Sequence, residues 1–163
     1  MSATPTAITA WEAADRRQDL ALMKAQLAPG VQLISPLTDQ FTFNGPDEVM
    51  AVFESAFVLL RDIVVHKVTG AEQDWVLWGT NTLRGKNLEE VQWLHLDDDG
   101  LIDQITLFIR PVAAAAELLA HIGPPMAKRG LMGRRWARVA AFLGLIPSGQ
   151  LRSAERFIMP RLR

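Results

Sequence analysis

The sequence predicts an α+β fold in which a mostly antiparallel sheet packs on N-terminal helices and a helical extension follows. Three observations carry that expectation. Between Asp62 and Pro111 the chain divides into strand-like segments rich in Val, Ile, Leu, Trp and Thr, parted by turn signals. Ahead of them, Asn44-Gly45-Pro46-Asp47-Glu48 opens a helix whose apolar residues share one face. Behind them the charge reverses: from Pro124 to Arg163 nine Lys and Arg face one Glu, giving +8 and leaving −9 on the rest.

Taken in order, Ile8, Trp11, Ala14 and Arg17-Gln18 repeat near the helical period, with Thr6 or Thr9 able to cap. Asp19 caps a second short helix, Leu20 to Leu27, which should stop at Ala28-Pro29-Gly30. Val31 to Ile34 reads as a short strand that ends at Ser35-Pro36, because proline has no amide to donate. Phe41 to Phe43 is a second extended piece. Two carboxylates in the first turn suit the helix that starts at Pro46, and Val49, Val52-Phe53, Ala56-Phe57 and Leu60 form its buried face. Strands then follow over 63–69, 75–83, 88–96 and 101–110, with turns at 70–74, 85–87 and 97–100, the pattern of consecutive hairpins. Val112 to Ile122 reads as a helix ended by Gly123-Pro124-Pro125. Two more helical pieces are expected at 133–143 and 148–157.

Composition narrows the chemistry. At 163 residues, 49% of them hydrophobic, the chain can bury one sizeable core. It contains no cysteine, which removes disulfides, thiolate nucleophiles and cysteine metal sites. No apolar run is long enough to span a bilayer, and residues 1–5 lack the features of a secretory signal. A cytoplasmic address is the default expectation.

Four local phrases resemble the SnoaL-like branch of the nuclear transport factor 2 superfamily. They are Ala28-Pro29-Gly30-Val31, Asn44-Gly45-Pro46-Asp47-Glu48-Val49, Val76-Leu77-Trp78 and Leu96-Asp97-Asp98-Asp99-Gly100-Leu101-Ile102. The resemblance covers about residues 6–111 and implies a cone-shaped curved sheet around an apolar cavity. It sets a domain at 1–111 and a basic helical extension at 112–163. It also implies where catalytic groups would stand. The carboxylate base that ketosteroid isomerases hold before a proline corresponds to Ser35, which cannot act as that base. Their protonated acid corresponds to Gln92, whose amide is a weaker donor. The acid/base aspartate of SnoaL-like cyclases corresponds to Leu107, and with no tyrosine in the chain Trp11 takes the region of the isomerase tyrosine.

The candidate catalytic residues are therefore Gln92, with Asp39 or His66 as substitute base, and the candidate pocket is lined by Trp11, Phe53, Phe57, Trp78 and Leu107. Each has a plainer reading. Asp39 suits a turn, His66 a core or interface position, and Trp75, Trp78 and Trp93 a packed sheet. His66, His95 and His121 lack ligand spacing, and Asp97-Asp98-Asp99 lacks the remainder of a calcium loop, so no metal or cofactor is expected. Three readings stay open: an isomerase or cyclase-type enzyme acting on a small apolar molecule, a non-catalytic binding or assembly module, and a peripheral membrane protein. The partners expected are a small apolar ligand and a second copy of the chain, with no nucleic acid. The basic tail, apolar around Trp136 to Ile146, would dock on the acidic domain or on an anionic membrane surface.

Overall fold

The computed structural model describes residues 3–157, and within its last helix the side chains of Ala140, Leu143, Ile146, Ser148, Arg152 and Glu155 are outside that description. The expected packing of Leu143 and Ile146, and the basic residues Arg161 and Arg163, therefore lie outside the described residues.

Eleven elements follow one another. They are α1 (Thr6–Arg17), α2 (Leu20–Lys24), β1 (Leu27–Ile34), β2 (Phe43–Asn44), α3 (Gly45–Phe57) and β3 (Leu60–Ala71), then β4 (Asp74–Leu83), β5 (Lys86–Leu96), β6 (Ile102–Arg110), α4 (Val112–Lys128) and α5 (Arg134–Phe157). The strands form one open sheet in the order β2-β1-β6-β5-β4-β3. β3 to β6 pair consecutively and antiparallel, as the hairpin pattern predicts, and only β1 runs parallel to its neighbour β6. One core joins Ile8 and Trp11 of α1, Val49 and Phe53 of α3, alternate residues of the strands, and Leu118, Ile122 and Met126 of α4.

Local chemistry explains the boundaries. The Asp19 side chain accepts from the Leu22 amide at 3.1 Å and starts α2 as expected. α1 begins behind Pro5 without a side-chain cap, so neither Thr6 nor Thr9 serves. α3 starts at Asn44 by position, yet the cap bond comes from the other side: the Asn44 amide donates to Glu48 Oε2 at 2.8 Å.

Several expectations change. α2 ends at Lys24, so Leu27 opens β1, and Leu60, read on the buried face of the third helix, opens β3 instead. Ala28-Pro29-Gly30 lies inside β1, because a register shift between Leu27 and Gln32 absorbs the residues that were read as a break. α4 continues through Pro124 and Pro125 to Lys128, since proline's fixed φ is helical and the added turn buries Met126 beside Ile122. The two tail helices are one, α5, which runs through Pro147 and packs on α4. Small residues permit that contact: a Cβ on Gly144 would lie 2.4 Å from the Ala120 nitrogen, and one on Gly123 2.8 Å from the Ala137 carbonyl oxygen.

Candidate active site

Strand alternation builds the site. On β5, Leu88, Glu90, Gln92, Leu94 and Leu96 turn to the inner face, and Trp93 and His95 to the outer one. The inner face meets α1, α3 and α4 around a cavity of about 280 Å³. Its walls are largely apolar, formed by Phe41, Phe43, Phe53, Phe57, Leu107, Leu118 and Met126 among others. Asp15, Asn81, Glu90 and Gln92 line one region of it.

Those polar residues form one chain of hydrogen bonds. Trp11 Nε1 donates to Gln92 Oε1 at 2.8 Å. That bond orients the amide, so Gln92 Nε2 donates to Glu90 Oε1 at 3.0 Å and to Asp15 Oδ2 at 3.2 Å. Asn81 Nδ2 donates to Glu90 Oε2 at 2.9 Å. Trp11 is fully buried and Asp15 and Gln92 are nearly so, whereas Glu90 keeps some accessible surface and lines the cavity.

The electrostatics follow from burial. Loss of solvent pushes the Asp15 carboxyl up to about 7; the Glu90 charge adds to the rise, and the Gln92 hydrogen bond opposes it. Burial also raises Glu90 above the usual carboxylate range, against the hydrogen bonds from Gln92 and Asn81. Two buried carboxyl groups bound to one amide each resist ionisation more than a solvated carboxyl does, and the charge of one opposes that of the other. Both border an apolar volume.

Against the expectations, Gln92, Phe53, Phe57 and Leu107 do line the cavity, and Ser35 lines it as well. Four residues do not. Trp11 lies behind Gln92, and its N–H is committed to that residue. Gln92 in turn commits its N–H groups to the two carboxyls, so the geometry makes this pair a support for acids in place of an oxyanion donor set. Asp39 is exposed in its turn, where Gln40 Nε2 donates to it at 2.7 Å. His66 and Trp78 sit on the outer face, with rings 5.0 Å apart and His66 Nε2 2.8 Å from Thr80 Oγ1. Val65 is buried, so alternation turns His66 outward, and a bulge between Val65, paired with Gly79, and Lys67, paired with Trp78, leaves His66 out of the ladder. Gly79 suits that bulge, since a Cβ there would meet the Val64 carbonyl oxygen at 2.6 Å. Of the other tryptophans, Trp75 is core and Trp93 bonds Asp74 on the outer face.

Sequence reasoning missed Asp15 and Glu90. Signals for both existed: Glu90 stands two residues before Gln92 on the same strand face, and Asp15 stands four after Trp11 on the same helix face.

No family model matches the chain, and no curated protein matches it in sequence. Solved structures do match. A protein of Silicibacter pomeroyi with a cystatin-like fold is 21% identical, with a TM-score of 0.70 over 82% of this chain and 91% of that one. A steroid delta-isomerase of Pseudomonas aeruginosa is 20% identical, with a TM-score of 0.65 over 76% and 88%. A ketosteroid isomerase-like protein of Catenulispora acidiphila, in complex with trimethylamine, is 14% identical, with a TM-score of 0.55 over 74% and 95%. The chain has the cone fold of the nuclear transport factor 2 superfamily, the fold of ketosteroid isomerase-like proteins.

Proposed function

We propose that the protein binds a small, mainly apolar molecule in its cone and transfers a proton on it, a reaction of isomerase or cyclase type. The observation that carries this reading is the buried Asp15–Gln92–Glu90 chain opening on an apolar cavity. Glu90 is the base, because it lines the cavity and its two oxygens accept amide N–H groups that steady the anion. Asp15 is the group that stays protonated, and Trp11 and Gln92 keep the two acids in register. The fold's steroid isomerase and trimethylamine-bound relatives are consistent with a small ligand in this volume. The test is deuterium uptake, followed by NMR, by a panel of cyclic ketones at carbons next to the carbonyl. Wild type should catalyse exchange with at least one ketone, and Glu90→Gln should lower the rate by about 10²–10⁴-fold, the usual worth of a positioned base. Ligand binding without exchange would favour the non-catalytic binding module.

A second reading concerns α5. Trp136 is 70% and Phe142 63% exposed, and Arg134, Arg135 and Arg138 are exposed beside them. This combination supports contact with an anionic membrane surface.

A further inference from the structure

The polar groups around the cavity also specify a charge, an inference that rests on the cavity being the ligand site. Among the described residues no Lys, Arg or His lines it, while Asp15 and Glu90 both do. The N–H groups of the network are spent within it: that of Trp11 on Gln92, those of Gln92 on the two carboxyls, and one of Asn81 on Glu90. What the network turns toward a ligand is therefore chiefly acceptor. Arg16, next to Asp15 in the chain, is directed elsewhere, to Glu12 at 2.7 Å and the Val65 carbonyl at 2.7 Å. Arg84 lies outside the lining and pairs with Glu117 of α4 at 3.4 Å. The walls bring several phenylalanine rings, whose faces attract cations.

We infer that the preferred ligand is a lipophilic amine, an apolar body carrying a protonated nitrogen that docks on Asp15 and Glu90. The ammonium supplies a counter-charge, which no described lining residue provides; the neutral donors on the wall are the hydroxyls of Ser35 and Thr38. The ammonium also makes ionisation of the carboxyl pair favourable, because an opposite charge within reach stabilises the anionic form. An anionic ligand would add a further negative charge to the same buried region. A neutral alcohol of the same shape fills the volume and leaves the charge uncompensated.

Calorimetric titration of the full chain at pH 8 with adamantan-1-amine, adamantan-1-ol and adamantane-1-carboxylate tests this. The amine should bind about tenfold or more tighter than the alcohol, a difference of about 1.4 kcal/mol, and the carboxylate should bind weakest. The double variant Asp15→Asn, Glu90→Gln should erase the preference, bringing amine and alcohol within about twofold of each other. The wild-type comparison stands on its own if that variant does not fold. An alcohol that binds wild type as tightly as the amine overturns the inference and leaves the cavity as a ligand site. A preference for the amine that survives in a folded double variant also overturns it, by assigning that preference to the acidic surface. If none of the three compounds binds, the reading of the cavity fails as well.

Discussion

At the residue scale the site depends on a few buried polar atoms. Gln92 was legible in the sequence because alternation along β5 places it with Leu94 and Leu96. Asp15 is marked only by sharing a helix face with Trp11, a weak signal, because a charged residue near the end of a helix ordinarily faces water. Only the tertiary fold, which brings α1 across β5, gives it a partner 77 positions away. Its burial has a thermodynamic consequence whose sign is fixed. Asp15 titrates near 7 in the folded chain and near 3.8 otherwise, so the unfolded chain releases its proton first as pH rises. Stability therefore falls between about pH 4 and 7 and stays reduced above that. Asp15→Asn keeps an acceptor for Gln92 and removes the titration. Denaturant titrations should show the variant gaining on wild type as pH rises from 4 to 8, by as much as roughly 4 kcal/mol at 1.36 kcal/mol per pKa unit. A difference between the two proteins that does not change with pH would show that Asp15 is ionised in the fold.

At the element scale the hairpins were legible, because turn residues and β-rich runs alternate over 62–111 and the strands pair in that order. Two features escaped sequence reading for physical reasons. The bulge at His66 leaves no mark in the hydrophobic pattern, yet it shifts the phase of β3, so that His66 and Lys67 both face outward and Val68 does not share the face of His66. The α4–α5 hairpin hides behind proline, because the burial of Met126 and Ala137 that offsets the helix breakers arises only in the tertiary fold. The hairpin rests on backbone proximity at Gly144, where any side chain meets Ala120. Gly144→Leu should therefore separate the helices. The expected readout is faster proteolysis across residues 129–134 and a loss of stability of about 1–3 kcal/mol, as for an overpacked contact. Unchanged proteolysis would mean that the two helices are held elsewhere.

At the scale of the whole molecule, the charge asymmetry read from the sequence suggested a basic tail lying on an acidic body. The arrangement is narrower than that. Arg129 does pair with Glu54 of α3 at 2.8 Å, at the end of α4. Beyond it, Arg134, Arg135 and Arg138 are exposed and make no ion pair or hydrogen bond with another described residue. Trp136 and Phe142, the side chains expected to glue the tail down, face solvent while Ala137 makes the helix contact. Among the described residues, the tail thus meets α4 at Ala137 and Gly144 and directs Trp136, Phe142, Arg134, Arg135 and Arg138 outward. An anionic bilayer complements that face: each large apolar side chain it buries contributes about 1.5–3 kcal/mol, and each Arg near the surface about 1 kcal/mol. Met126 and Met132 line the cavity, so a truncation that spares the cone ends after Gly133. Full-length protein should sediment with vesicles containing phosphatidylserine, and less so as salt shortens the range of the Arg charges. The truncated chain should stay in solution, and Trp136→Ser combined with Phe142→Ser should release most of the bound fraction without lowering the melting temperature. Full-length protein that ignores anionic vesicles at low salt would sink the membrane reading. Binding that survives the double serine variant would leave the arginines as its sole basis and remove the insertion of aromatic side chains from the account.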